Sequence, residues 1–267
     1  MSQDKIPPIL LVGFGKMGGA MLAGWREAGL APSIAVDPMR PASPGPELTV
    51  VADAAEIPGD FAPAAVILAV KPQSAAETLP LYRRFAGRAV FLSIMAGRTL
   101  AGMQALLGDA AIVRAMPNTP AAVRQGVTVG CPNTSVTPAQ RALCDRLLSA
   151  IGAVAWVDDE GLLDPVTAVS GSGPAYVFLL AELMEKAAIE QGIPPDLARL
   201  LARQTVSGSG ALLAASPEPS AQLRVNVTSP KGTTEAALAV MMAPDAWPKA
   251  VSAAIAAATQ RSRDLAG

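Results

Sequence analysis

Three glycines, Gly13, Gly15 and Gly18, follow the apolar run Ile9-Leu10-Leu11-Val12 at G-x-G-x-x-G spacing. A helical pattern then begins, with Met17, Met21, Leu22 and Trp25 on one side. The stretch reads as a buried strand, a tight turn and the exposed start of a helix. Gly13 allows the turn, Gly15 lets a pyrophosphate approach the backbone, and Gly18 lets the helix pack against the strand. Free N–H groups and the positive end of the helix dipole favour an anion there. Glycine-rich strand–helix turns also serve packing alone, so the rest of the chain must decide for or against a dinucleotide.

Asp37 closes the second strand pattern about 20 residues beyond Gly18, where a dinucleotide domain places the acid that meets the adenosine ribose. A solvated loop carboxylate is the other reading. Of only six lysines, Lys16 lies inside the glycine loop but outside any Walker spacing, and Lys71 ends a buried strand. A second loop, Asn226-Val227-Thr228-Ser229-Pro230-Lys231-Gly232-Thr233-Thr234-Glu235, offers hydroxyls, a glycine and free N–H groups at a helix start. It suits a carboxylate; Ser229 or Thr233 acting as a helix cap would use the same donors.

The chain contains no histidine. No side chain therefore has an unperturbed pKa between about 5 and 8. Tyr82 and Tyr176 are the only phenols, and neither belongs to a Tyr-x-x-x-Lys pair. Oxidising a hydroxyl needs a base for its proton, whereas a C=N nitrogen can arrive already protonated. Imine reduction is favoured over alcohol oxidation.

Strands are expected at 9–12, 33–37, 50–52, 64–70, 89–94, 111–116, 127–129 and 154–157, with helices between them at 74–85, 99–107 and 138–151. The alternation implies a mainly parallel, doubly wound sheet, with its ligand beyond the carboxyl ends of the strands. That rule gathers Gly13, Asp37, Lys71, Gly97 and Asn118. The proline-rich stretch 38–46 is a surface loop. From about residue 159 only helices are expected, at 162–191, 195–215, 220–227, 233–242 and 247–265, with Gly171-Ser172-Gly173-Pro174 kinking or starting the first. These helices are rich in alanine and apolar on most faces, which calls for burial against another subunit. The expected division is 1–158 and 159–267.

With 51% hydrophobic and only 4% aromatic residues, the core must be built mostly from Ala, Val, Leu and Ile. A net charge of −1 without any basic block argues against nucleic acid. Cys131 and Cys144 lack ligand spacing and are expected as reduced thiols; with no histidine, no zinc or iron site is expected. No signal segment and no membrane-spanning stretch is expected, and a cytoplasmic location follows.

Five separated motifs carry a family resemblance. They are the glycine loop, Ala69-Val70-Lys71-Pro72-Gln73, Met116-Pro117-Asn118-Thr119-Pro120, Ser170-Gly171-Ser172-Gly173-Pro174-Ala175-Tyr176 and Val227-Thr228-Ser229-Pro230-Lys231-Gly232-Thr233-Thr234. In this order they resemble the pyrroline-5-carboxylate reductases, which make proline by reducing a cyclic imine with NADPH or NADH. The resemblance implies an α/β Rossmann-type doubly wound sheet plus an all-α C-terminal dimerisation domain, an intertwined homodimer, and in some members a decamer. It implies cofactor phosphates on Val12, Gly13, Phe14, Gly15, Lys16 and Met17, with Asp37 near the ribose. Ala69, Val70, Lys71, Pro72, Met95, Ala96 and Gly97 would line the nicotinamide half, and Asn226 would also touch the cofactor. The substrate carboxylate would sit on Ser229, Gly232 and Thr233. Thr234 would face the ring nitrogen, orienting the imine and assisting its proton, in a site shared between subunits.

Two departures stand out. Lys231 occupies the first glycine of the family's Ser-Pro-Gly-Gly-Thr-Thr loop, adding a cation and leaving Gly232 to carry the tight conformation. Asp37 stands where NADPH-preferring relatives often carry a small polar residue; a carboxylate there bonds a ribose diol and repels a 2′-phosphate, with Arg40 available as an offset. The balance leans to NADH. The alternatives are another imine reductase of this build, a β-hydroxyacid dehydrogenase, for which Lys186 is the only candidate catalytic lysine, and a protein that senses NAD(P) without turnover.

Overall fold

The computed structural model describes residues 5–266. In chain order it contains β1 (Ile9–Val12), α1 (Lys16–Glu27), β2 (Ser33–Val36), β3 (Leu48–Val51), β4 (Ala65–Leu68), α2 (Ala75–Thr78), β5 (Val90–Ser93), α3 (Leu100–Leu107), β6 (Ala111–Met116), β7 (Gly126–Pro132), α4 (Pro138–Ser149) and β8 (Gly152–Trp156). These eight strands form one sheet in the order β3-β2-β1-β4-β5-β6-β7-β8. Every pairing is parallel except β6 with β7. Only the short turn Thr119–Val123 joins those two, too little chain for a crossover, so β7 must run back antiparallel.

Residues of alternate parity point to opposite faces of the sheet. Ile9 and Leu11 of β1 join Met21, Leu22 and Trp25 of α1 and Leu143, Leu147 and Leu148 of α4 in one core. Leu10 and Val12 join Leu79, Tyr82, Phe85, Met103 and Leu107 in the other. Central strands buried on both faces explain why the sequence there is continuously apolar.

The helix expected at 74–85 is corrected. The chain makes a 3₁₀ turn (Pro72–Ser74), the single α-turn of α2, and a 3₁₀ stretch (Leu79–Phe85). Pro80 has no N–H to give an α-helical ladder, and the tighter winding still buries Leu79, Tyr82 and Phe85.

After β8 come α5 (Leu163–Val166), a π-turn (Thr167–Gly171), α6 (Gly173–Glu190), α7 (Pro195–Ala215), α8 (Ser220–Asn226), α9 (Thr233–Met241) and α10 (Trp247–Ala266). The hydroxyls of Thr167 and Ser170 bond back to the carbonyls of Leu163 and Val166, at 2.7 and 2.9 Å, where the winding loosens. The wider turn accommodates Gly171 without breaking the helical run. Glu160–Glu190 is, by length and composition alone, long and apolar enough to cross a bilayer, with mean hydropathy 1.3.

Two compact units emerge, one from residues up to 171 together with those from 258 onward, the other Ser172–Ala257. The first unit extends past residue 158 because Leu163 is buried with Val129 and Cys131 of β7, and Ser262 donates to Asp164 at 2.7 Å. In the second unit Ala198 and Ala202 are the only buried apolar side chains among the described residues. Phe178, Leu200 and Leu212 stay 68%, 60% and 57% exposed.

Candidate active site

The three glycines of the first loop serve three different ends. Gly13 has φ +93°, and a Cβ there would stand 2.7 Å from the carbonyl oxygen of Ala69. A Cβ on Gly18 would stand 2.7 Å from the carbonyl oxygen of Gly13, whereas one on Gly15 would meet nothing within 4 Å. Gly15 is also the N-cap of α1, and no side chain caps it. The N–H groups of Gly15, Lys16 and Met17 have no partner among the described residues. A turn, a close packing contact and an open anion cradle thus occur within six positions, and the donor set fits a dinucleotide's phosphates.

Asp37, half-buried just past β2, binds this loop directly. Its Oδ2 accepts from the Phe14 N–H and its Oδ1 from the Met39 N–H, both at 2.9 Å. The Phe14 N–H is therefore committed to Asp37, and Val12 is a buried strand residue. Arg40, the expected counterweight to the Asp37 charge, is instead paired with Glu56.

The loops after β4 and β5 lie side by side, since Leu68 and Ser93 are register partners. Ala69 continues the β4 ladder by donating to Val12 O at 2.8 Å, and Lys71 is exposed beyond Val70. After β5, Met95 is only 2% exposed and packs in the core with Met103, so it presents backbone rather than side chain. Ala96 is exposed, and Gly97 turns the chain at φ +69°. Arg98 Nε donates to Pro72 O at 2.8 Å, tying the two loops together. Sequence reasoning passed over Arg98, because a lone arginine in a loop carries no pattern. Asn118 spends its Oδ1 on the Val127 N–H at 2.9 Å and shapes its own turn.

Arg114 on β6 and Glu160 were also missed, since nothing in local spacing links a strand arginine to an acid 46 residues on. Arg114 is only 6% exposed and reaches Glu160 Oε1 at 2.7 Å, and that same oxygen accepts from the Leu100 N–H at 2.8 Å. The pair fixes the start of α3, and with it the end of the β5 loop.

In the second unit, the loop before α9 differs from the capping alternative. Neither Ser229 nor Thr233 caps the helix; the N-cap is Gly232, with no side-chain bond. Glu235 reaches back to accept from the Lys231 N–H at 2.6 Å, and Gly232 N donates to Ser229 O at 3.0 Å. The N–H groups of Thr233, Thr234 and Glu235 are left without partners among the described residues. Lys231 holds φ +58°, a conformation that suits glycine, so its side chain is tolerated at some cost. Thr234 is half-buried, while Ser229 and Thr233 are exposed. Asn226 is engaged locally, donating to Glu218 at 2.9 Å and accepting from Gln222 at 2.8 Å.

The titratable groups narrow the chemistry. Burial pushes the Tyr82 phenol up to about 12, which removes it as an acid. Burial raises both thiols, Cys144 to about 12, and both cysteines are free. Lys186 forms an exposed ion pair with Glu182 at 2.6 Å, which raises its pKa and keeps it a surface cation. The lysine that a β-hydroxyacid dehydrogenase requires is thus not provided by Lys186.

A doubly wound sheet with an uncapped glycine-rich strand–helix turn, followed by a helical unit with a second uncapped helix start, has the architecture of a nicotinamide-dinucleotide oxidoreductase of Rossmann type with a helical second domain. A family model described as "Pyrroline-5-carboxylate reductase dimerisation" matches residues 160–265. The chain is 38% identical to the pyrroline-5-carboxylate reductase of Pseudomonas aeruginosa over 97% of each protein. A solved pyrroline-5-carboxylate reductase from Coxiella burnetii superposes with TM-score 0.88 at 30% identity, covering 98% of this chain and 99% of that one. The Plasmodium falciparum pyrroline carboxylate reductase with NADP bound superposes with TM-score 0.81 at 26% identity, covering 98% and 99%. The chain belongs to the pyrroline-5-carboxylate reductase family, NAD(P)H-dependent oxidoreductases, and its helical segment is a dimerisation domain.

Proposed function

We propose that this chain reduces L-1-pyrroline-5-carboxylate to L-proline, the last step of proline biosynthesis, in the cytoplasm. The observation that carries the substrate assignment is the start of α9. Three unpartnered N–H groups stand there behind the hydroxyls of Ser229, Thr233 and Thr234, a donor set for one carboxylate. Ser229, Gly232 and Thr233 hold that carboxylate. The half-buried Thr234 hydroxyl faces the ring nitrogen, accepting from a protonated imine N–H and so fixing the ring's orientation. With no histidine and with Tyr82 locked as a neutral phenol, no side-chain base is invoked, and the product amine takes its next proton from water.

On the cofactor side, the free N–H groups of Gly15, Lys16 and Met17 hold the phosphates, beside Val12, Gly13 and Phe14. Asp37 receives the adenosine ribose on the lone pairs that Phe14 and Met39 leave unused, and favours NADH. Ala69, Val70, Lys71 and Pro72 face Met95, Ala96 and Gly97 across the nicotinamide half. Asn226 also contacts the cofactor, exchanging one of its local bonds to do so. When bound, the reduced nicotinamide supplies the hydride. The functional division is 1–158 for cofactor and 159–267 for substrate and assembly. A homodimer whose subunits share the site, able to build a decamer, covers the apolar helices.

The test is oxidation of NADH and NADPH followed at 340 nm with pyrroline-5-carboxylate. Steady turnover with proline as product is expected. Absence of substrate-dependent oxidation with either cofactor, at any pH from about 5 to 9, would refute the proposal.

A further inference from the structure

We infer that Arg98 is a positioning residue for the nicotinamide half of the cofactor, clamping the β4 loop to the β5 loop. The inference rests on the placement of those two loops at the cofactor proposed above. Their backbones leave adjacent parallel strands, and nothing in the sheet ladder extends past Ile94 N to Leu68 O, at 3.1 Å. Beyond that point each loop must be held by other means. The Arg98 Nε–H crosses the gap and reaches the Pro72 carbonyl at 2.8 Å, a contact between residues 26 apart in sequence. Pro72 cannot donate in return, so its carbonyl is the only backbone hydrogen-bonding group it has.

The rest of the β5 loop is held independently of this link. Met95 is anchored in the core at 2% exposure, and its N–H leans on Ser93 Oγ at 3.3 Å. Gly97, at φ +69°, lies against the last turn of α10, where a Cβ would stand 3.1 Å from the Leu265 carbonyl oxygen. Leu100 is held by Glu160, itself braced by Arg114. The β5 loop is thus fixed within its own half of the wall. The β4 loop is tied at its start by the Ala69 N–H to Val12 O, at 2.8 Å. It closes on itself in a short turn in which the N–H and Oγ of Ser74 donate to Lys71 O, at 3.1 and 2.9 Å, and the Ala75 N–H shares the Pro72 carbonyl. Toward the β5 loop, Arg98 is the side chain that reaches it. Arg98 transfers the rigidity of one loop to the other and so sets the width of the slot between them. A charged donor on a neutral carbonyl is among the stronger hydrogen bonds, and the planar guanidinium is pre-organised for it.

The test compares wild type, Arg98→Ala and Arg98→Lys by titrating each with NADH, NADPH and ADP-ribose, the last lacking nicotinamide. The proposal expects Arg98→Ala to weaken the preferred reduced cofactor about five- to tenfold while leaving ADP-ribose affinity unchanged. Arg98→Lys, which keeps the charge but loses the fixed Nε–H, is expected to weaken it about two- to threefold. KM for the imine should move less than KM for the cofactor. Equal losses for ADP-ribose and the reduced cofactor would overturn the proposal, as would an unchanged cofactor affinity in Arg98→Ala. If Arg98→Ala does not fold, wild-type affinity in Arg98→Lys overturns it alone. A wild type that binds neither NADH nor NADPH defeats the cofactor reading itself, an outcome distinct from a variant that binds like wild type.

Discussion

Replacing Asp37 by serine is expected to shift cofactor preference from NADH toward NADPH. A ribose oxygen held by this carboxylate would bring a 2′-phosphate to about 4 Å, where two unit charges repel by about 4 kcal/mol at an effective dielectric of 20. Asp37 is only half-buried, so solvent and salt reduce the penalty to about 2 kcal/mol, or thirtyfold in discrimination. Serine is also too short to hold both the Phe14 and Met39 N–H groups, which the carboxylate now binds at 2.9 Å each. Losing these bonds loosens the glycine loop and costs about 1.5 kcal/mol with either cofactor alike. Asp37→Ser should therefore lower kcat/KM for NADH about tenfold or more and shift the NADPH-to-NADH ratio upward about thirtyfold. Asp37→Asn keeps one acceptor for the Phe14 N–H, so it should shift the ratio with a smaller overall loss. The assay is kcat/KM for both cofactors at saturating imine and about 0.1 M ionic strength, where exposed charges are screened beyond about 10 Å. A ratio that moves less than about threefold in both variants would refute the electrostatic reasoning.

Three further outcomes are expected. Thr234→Ala should lower kcat about ten- to a hundredfold with cofactor affinity unchanged, and an equal loss of NADH binding would contradict a role at the imine nitrogen. Phe178→Glu places a charge on a side chain 68% exposed in α6, and sedimentation should show monomer where wild type is at least a dimer. Cys144 and Tyr82, both pushed up to about 12, favour the folded state while neutral. Their contribution is full below the ordinary values of 9 and 10 and is lost as pH rises through about 12. The melting temperature should fall over that window, and less so in Cys144→Ala; a flat profile would contradict their burial.

Local patterns made much of the architecture legible. The apolar runs became β1, β4 and β5 because strands buried on both faces must be apolar at every position. The bounds of α7 were readable because Pro195 can begin a helix and the Ser216-Pro217 pair ends one. The 3₁₀ winding after β4 was not legible, since the apolar spacing of Leu79, Tyr82 and Phe85 suits an α-helix nearly as well. Antiparallel β7 followed from the length of one connection rather than from the character of the strand itself.

The site divides in the same way. Sequence alone determined the glycine loop, the acid after β2 and the hydroxyl-rich start of α9, because each depends on the identities of neighbours in the chain. It also determined that no histidine takes part. Tertiary structure decided how those groups are spent. Asp37 holds the Phe14 N–H across 23 residues, Arg40 goes to Glu56, and Glu235 rather than a hydroxyl reaches back over the start of α9. Arg98 meets Pro72 because parallel strands bring distant loops to one edge, and Arg114 on β6 meets Glu160 beyond β8 across the antiparallel pairing of β6 with β7. Hydrogen bonds of that kind depend on spatial register, and register between distant segments is set by packing, which no local spacing records.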